Sequence, residues 1–422
     1  VSRSCPNCAA SYPDETFFCG ADGSITVQDQ SEADFDPRLG KQLGGYIVVA
    51  RVADGAMGRV YEGRHPETRA RVAVKVLHEH VARDRVSVER FKREYEAAHE
   101  MESPYIVDVL EFGATTDRSF FLTMEYLQGQ ELSKAVVSRQ PLAKPRIVRI
   151  VCQIASALEH AHSFGFIHRD LKPDNIFLCD TPSGVQVRVL DFGSVKLQMD
   201  TGVKLTALGT TLGSPYYMSP EQATGASDVD QRSDVFALGA ILYEMLTGRI
   251  AFEGPSVALI LMKILNQSPP PASGLNPECS AAIDAVIDKA LRKDKKARYG
   301  GARELGEALL AACGLSGSID EWAQRPEAEV ASALAAAPPT PLPAAAARVQ
   351  VASSDQSGAH AVATSAATIS DAHAATPQLA APRMSRASEV PFTVPTHAPK
   401  AKLIVSVAIG LAVLCLLMLL MQ

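Results

Sequence analysis

The stretch "FIHRDLKPDNIFL", residues 166–178, constrains this chain more than any other. It sets His168, Arg169, Asp170, Lys172 and Asn175 within eight residues between two apolar runs. Turn chemistry accounts for one Asp, one Pro and one Asn, since all three favour turns, but it does not account for the set. Around it, from Tyr46 to about Cys313, the sequence has the texture of one folded domain. Short β-branched runs come first ("YIVVARV", "ARVAVKVL"), and long helical patterns such as "SDVFALGAILYEMLTG" come later. That order predicts a β-rich front half and an α-rich back half.

Two features of the front half belong with the loop. "VADGAMGRVYEG", residues 52–63, reads as a glycine-rich phosphate cover whose first glycine has become Ala53, while Gly55 and Gly58 are in place. Of the two, Gly55 is the position expected to tolerate a side chain least, because the backbone comes closest to the phosphates there. In "RVAVKVL", residues 71–77, alternation puts Val72, Val74 and Val76 on one strand face and Lys75 on the other. Lysines are usually solvated, but "VSVERFKREYEAAHEM" carries Glu94 on or beside the apolar stripe of Val88, Phe91, Tyr95, Ala98 and Met101. A carboxylate aimed at a core needs a cation, and Lys75 is the natural candidate.

In this order, the glycine loop, Lys75, Glu94, "HRDLKPDN" and "VLDFG" (189–193) resemble the motif set of eukaryotic-like protein kinases. The resemblance implies an α+β, bilobal protein kinase fold with a β-rich N-lobe (about 45–125) and an α-rich C-lobe (about 126–313). It implies that ATP binds with Mg²⁺ or Mn²⁺, covered by Val52, Ala53, Asp54, Gly55, Ala56, Met57, Gly58 and Val60 and flanked by Ala73 and Lys75. From "FFLTMEYLQGQEL", Met124 would line the back of the adenine pocket, Glu125 and Leu127 would offer backbone hydrogen bonds, and Glu131 would reach the ribose. Asp170 would orient the substrate hydroxyl, Lys172 would steady the transferring phosphoryl group, and Asn175 and Asp191 would hold the metal. Glu221 of "SPE" would pair with Arg298, and Asp234 would brace the catalytic loop.

Lys172 two residues after Asp170, together with "GSPYYMSPE", is the Ser/Thr-type pattern, and "YMSPEQ" and "GAMGRVY" are associated with bacterial members. Thr206, Thr210, Thr211 and Ser214 are candidates for activation-segment phosphorylation that Arg169 would read; ordinary loop residues are the alternative. A pseudokinase scaffold is the main rival, but its mark would be the loss of Lys75, Asp170, Asn175 or Asp191. A small-molecule kinase is a second rival, and the "SPE" platform for a peptide argues against it. Protein substrates follow from the leading reading. A homodimer of kinase domains stays open, as do the substrate's identity and the activating signal.

Outside this domain the chain changes character. Residues 1–30 carry Cys5, Cys8 and Cys19, with Asp22 at the place of a fourth cysteine, and resemble a short zinc ribbon. Zn²⁺ binding, a degenerate ribbon and a redox-active thiol pair all remain open. Residues 31–44 read as a polar linker and 314–400 as an Ala/Pro-rich disordered linker. "LIVSVAIGLAVLCLLMLLM", residues 403–421, at about 1.5 Å per residue nearly matches the ~30 Å hydrocarbon core, so a transmembrane helix is expected there. Lys400 and Lys402 before it predict a tail anchor in the inner or plasma membrane, with the folded part cytoplasmic and the lipid bilayer as a partner. The remaining cysteines are scattered, as in a reducing compartment, and residues 1–45 hold no apolar run of export-signal length. A formal charge of -6 argues against nucleic acid as a partner.

Overall fold

The computed structural model describes residues 2–31, 35–115, 119–192 and 215–338. The four phosphorylation candidates and the 403–421 segment lie outside the described residues. Among the described residues no helix is long and apolar enough to cross a membrane.

The first unit is a small antiparallel sheet of β1 (Arg3–Ser4), β2 (Ser11–Tyr12) and β3 (Val27–Gln28), in the order β2-β1-β3. The chain then forms the larger sheet of the amino-terminal lobe, ordered β4-β5-β6-β7-β9-β8 and antiparallel throughout. Its strands are β4 (Gln42–Leu43), β5 (Tyr46–Asp54), β6 (Gly58–Arg64), β7 (Arg71–Leu77), β8 (Val109–Ala114) and β9 (Phe120–Glu125). Between β7 and β8 come the short helix α1 (Glu79–Ala82) and the long helix α2 (Arg85–Glu100), whose start is capped by Asp84 accepting from Val86 and Ser87 N–H.

The period-2 pattern of β7 has a consequence for both faces of this sheet. Val72, Val74 and Val76 pack outward with Leu43, Val48, Tyr61 and Phe121. The opposite face, with Leu77, Leu122 and Val109, packs on Phe91 and Ala98 of α2 and carries Lys75 toward it. Residues 35–43 help close the outer face and do not run as a free linker. Leu43 is buried, and the buried Asp36 carboxylate accepts from the Tyr61 hydroxyl at 2.8 Å. The expectation of a polar linker failed because one buried acid and two leucines give no periodic signal.

The carboxy-terminal lobe begins with β10 (Gly129–Glu131) and α3 (Leu132–Val136), followed by α4 (Lys144–Ser163) and the hairpin β11 (Ile176–Thr181) and β12 (Gly184–Val189). Then come α5 (Pro220–Ala223), α6 (Arg232–Thr247), α7 (Val257–Asn266), α8 (Ala281–Ala290) and α9 (Ala302–Ala312). Helix α6 is buried from Ser233 to Thr247 on every side, which makes it the axis of the lobe.

Order also continues past the expected boundary at 313. Helices α10 (Ile319–Gln324) and α11 (Glu327–Ala336) dock on the lobe and bury Ile319, Trp322, Ala323 and Val330. Gln153 of α4 donates to the Ala323 carbonyl at 2.9 Å, and Ser156 donates to Asp320 at 2.8 Å. An alanine-rich segment cannot build a core alone, but its small side chains let a helix approach a core that already exists. The first part of the expected disordered linker is therefore folded.

Candidate active site

Three ionisable side chains meet where the two lobes face each other. Lys75 Nζ donates to both Glu94 oxygens at 3.0 and 3.2 Å and to Asp191 Oδ1 at 2.6 Å. Burial works against the Lys75 charge, but Asp191 and then Glu94 overcome it and hold the ammonium above its ordinary value. One cation then faces two carboxylates. Burial, opposed by Lys75 and aided by the charge of Asp191, pushes Glu94 up to about 8. Desolvation would raise Asp191 as well, but Lys75 at 2.6 Å and then the hydrogen bond with Glu94 hold it below the carboxylate range. With both carboxylates ionised the cluster would carry one negative charge in excess, and the raised Glu94 carboxyl is the sign of it.

The catalytic loop is held from behind. Asp234, at the start of the buried helix α6, accepts the backbone N–H groups of His168 and Arg169, both at 2.9 Å. It also accepts from His162 Nε2 at 2.8 Å. Burial would raise the Asp234 carboxyl, but His162 and those neighbours keep it below its ordinary value. His168 Nε2 lies 2.9 Å from the Leu190 carbonyl and its ring sits against Phe192, so the loop and the segment bearing Asp191 are tied together. In front, Lys172 Nζ donates to Asp170 Oδ2 at 2.7 Å and Asn175 Nδ2 donates to the Asp170 carbonyl at 2.8 Å. With Nδ2 committed, Oδ1 is left as the ligand atom of Asn175. Arg169 and Asp191 have φ of 64° and 58°, a region that non-glycine residues seldom occupy. Backbone strain of this kind persists where the surroundings over-determine it, as they do here.

The glycine loop is the hairpin between β5 and β6. Ala53 is paired with Val60 in the strand and is absent from the residues of positive φ, so its methyl is accommodated without strain. The strictest steric demand falls on Gly58, where a Cβ would sit 2.2 Å from the Val76 carbonyl oxygen. At Gly55 the nearest atom to such a Cβ is the Gly58 carbonyl oxygen at 3.3 Å. The protein's own packing thus makes Gly58, rather than Gly55, the tight position. Val52 is half-exposed on the same hairpin, and Asp54 accepts from Arg59 Nε at 3.0 Å. Ala56 and Met57 lie in the turn, and His78 pins it by contacting the Gly55 carbonyl at 2.8 Å through Nε2 and the Met57 carbonyl at 3.0 Å through its backbone N–H. No motif pointed to His78.

The strand pairing Ala73↔Met124 sets these two residues side by side at the rear of the cleft. The connection after it is braced by Arg188, whose Nε donates to Glu125 Oε1 at 2.8 Å. Leu127 packs with the inner face of the sheet, while Glu131 is half-buried beside Ser133 and Lys134. Farther down, Glu221 and Arg298 form a two-point ion pair, each bond 2.7 Å, and Ser233 adds a third donor to Glu221 at 2.6 Å. Ser219 begins α5 with a capping box to Gln222, whose Nε2 reaches the Arg169 carbonyl at 2.5 Å. The serine of "SPE" therefore has a capping duty of its own.

At the amino terminus, the candidate ligand atoms of Cys5, Cys8, Cys19 and Asp22 all lie within 4.8 Å of one another. Cys8 and Cys19 sulfurs are 3.5 Å apart, close to the ~3.8 Å edge of a tetrahedron with ~2.3 Å metal–sulfur bonds. Ala9, directly after Cys8, has φ of 58°, and Gly23, directly after Asp22, has φ of 71°. The Cys5–Cys8 and Cys19–Asp22 turns are thus built alike, with Asp22 in the position of the second cysteine. The Ser24 backbone N–H, donating to Asp22 Oδ1 at 2.9 Å, helps bring that carboxyl down to about 2.

Comparison with known proteins places this geometry. Residues 46–309 match the family described as the protein kinase domain. The chain is 40% identical over 284 residues to the serine/threonine-protein kinase pkn3 of Myxococcus xanthus, covering 66% of this chain and 52% of that protein. It is 34% identical over 268 residues to the serine/threonine-protein kinase PrkC of Bacillus subtilis, covering 63% and 40% respectively. The crystal structure of the Mycobacterium tuberculosis PknI kinase domain superimposes with a TM-score of 0.52 at 29% identity, over 65% of this chain and 98% of that one. The chain spans about half the length of these curated relatives or less.

Proposed function

The chain belongs to the protein kinase family, in its bacterial eukaryotic-like Ser/Thr branch, and from that premise we propose that it moves the γ-phosphoryl group of ATP to Ser or Thr hydroxyls of proteins. The observation that carries this is the convergence of Lys75, Glu94 and Asp191 in one ion cluster, with the catalytic loop tied to it through His168. The residues fit a magnesium nucleotide. The cluster holds one ammonium for two carboxylates, Asp191 is open to the cleft, and Asn175 has its amide oxygen to give.

ATP with Mg²⁺ supplies the phosphoryl group and neutralises its developing charge. The protein's part is positioning and electrostatics. Lys75, oriented by Glu94, would hold the α- and β-phosphates. Asp191 and Asn175 would hold the metal. Asp170 would accept the proton of the substrate hydroxyl, and Lys172, now 2.7 Å from Asp170, would turn to the transferring group. Full-chain protein given γ-labelled ATP and a generic protein substrate should label it, and Asp191→Asn should abolish labelling. Equal labelling by the two proteins refutes the mechanism.

Three finer readings complete the proposal. The Arg169 guanidinium has a buried Nε without a partner among the described residues, which supports a role in reading a phosphate on Thr206, Thr210, Thr211 or Ser214. Cys5, Cys8, Cys19 and Asp22 would hold Zn²⁺, supported by the matched turns and short ligand distances. The apolar 403–421 segment would anchor the protein in the membrane, which its composition supports.

A further inference from the structure

The cysteine-bearing unit is not merely tethered to the kinase lobe, because Phe17 lies in a stack of cations that leads to the cleft. The Arg3 and Arg64 guanidinium carbons are 4.2 and 4.1 Å from the Phe17 ring centroid, and that of Arg71 is 5.9 Å away. Arg71 also lies over Tyr126, at 3.5 Å from that ring's centroid. Tyr126 sits between Glu125 and Leu127, the residues that would meet adenine. Glu62, buried in β6, fixes the two lobe arginines, accepting from Arg64 and Arg71 at 2.9 Å each. Phe17 is two residues from Cys19, so whatever fixes that thiolate also fixes the ring.

A second connection runs from β3 and from Asp36 after it. Gln28 of β3 accepts from the Arg51 backbone N–H at 3.3 Å. Asp36 accepts from Arg59 at 3.3 Å, and Arg59 in turn donates to Asp54 at the entry of the glycine turn. The unit therefore touches β5 through Gln28 and the 125–127 connection through the Arg71–Tyr126 stack, and Asp36 just after it reaches the glycine turn through Arg59.

We propose that metal loading of the Cys5, Cys8, Cys19 and Asp22 site sets nucleotide affinity through the Phe17–Arg71–Tyr126 stack, with Phe17 and Arg71 as positioning residues. The inference rests on the zinc and ATP readings above. A unit of this size buries too little surface to hold its shape without the metal. Metal loss releases Phe17, and Arg71 keeps only one aromatic face, so the hinge pays the cost of ordering itself when adenine binds. Linkage then requires nucleotide to tighten the metal site by the same factor.

The test uses the full chain, zinc-loaded or stripped with a zinc-selective chelator, titrated with a non-hydrolysable ATP analogue in the presence of Mg²⁺. Stripping should raise the nucleotide Kd about fivefold or more, and saturating nucleotide should lower the zinc Kd by the same factor. Phe17→Ala should retain zinc yet bind nucleotide with the weaker affinity in both states, and Phe17→Trp should restore the dependence. If Phe17→Ala loses zinc, Arg71→Lys, which keeps the charge facing Glu62 without the planar stack, replaces it. Loaded and stripped protein binding nucleotide within about twofold of each other would overturn the coupling while leaving the metal and kinase readings intact. Full metal dependence in Phe17→Ala or Arg71→Lys would overturn it too. A chain that takes up no zinc overturns the metal reading along with the coupling, and one that binds no nucleotide overturns the kinase reading.

Discussion

Glu221 and Glu94 are both buried glutamates facing a cation, and the protein answers them differently. Glu221 has Arg298 in a two-point pair, with a third hydrogen bond from Ser233, and the arginine side chain is 0% exposed. Burial would raise the Glu221 carboxyl, but Arg298 and then Ser233 hold it below its ordinary value. Glu94 must share Lys75 with Asp191, and its carboxyl is pushed the other way. The first pair is complete and needs nothing further. The second is short of positive charge, and Asp191, 46% exposed, opens that deficit to the cleft. A satisfied pair holds a lobe together, whereas an unsatisfied one is suited to receiving a cation.

If that contrast is sound, the two glutamates should separate stability from activity. Glu221→Ala strands Arg298 in the interior and should cost about 3–5 kcal/mol of stability, read by denaturant unfolding. A loss under about 1 kcal/mol, as at an exposed pair, would break the comparison. Glu94→Gln should do the reverse. Lys75 keeps Asp191 as a partner, so the unfolding midpoint should barely move. The loss of its orienter should still lower kcat/KM for ATP about 10²-fold, measured by steady-state phosphotransfer. A Glu94→Gln protein of full activity would show that the pair is structural as well.

The same contrast explains what could be read from the sequence. Lys75, Glu94, Asp170, Asn175 and Asp191 were legible because phosphoryl transfer prescribes residue types, and short spacings carry them. The β-rich front and α-rich back were legible from periodicity, as in the alternation of β7 and the unbroken burial of α6. The contacts that hold the small units were not. Asp36 against Tyr61 and Phe17 among three arginines join residues far apart in the chain, and neither leaves a local pattern. His78 on the glycine turn and Arg188 on Glu125 were hidden for the same reason. Residues 319–336 were misjudged because composition reports whether a segment can make a core, not whether it can join one.

The smallest effect concerns acid. Since the folded Glu221 carboxyl lies below its unfolded value of 4.5, its contribution is fully present above that value and is lost as pH falls through the folded one. Other carboxylates held low, Asp230 and Asp234 among them, titrate over the same acidic range, so the absolute slope cannot isolate Glu221. The difference between wild type and Glu221→Gln can. The amide cannot ionise, but it keeps the shape of the acid and still accepts from Arg298. Wild type should exceed the variant in stability at neutral pH, and the gap should shrink as pH falls below about 4.5 and Glu221 takes up its proton. Urea unfolding of both proteins between pH 3 and 7 measures that gap. A gap that stays constant, or widens toward acid, would mean that Arg298 does not bind the ionised form preferentially, and Glu221 would lose its standing as the satisfied member of the comparison.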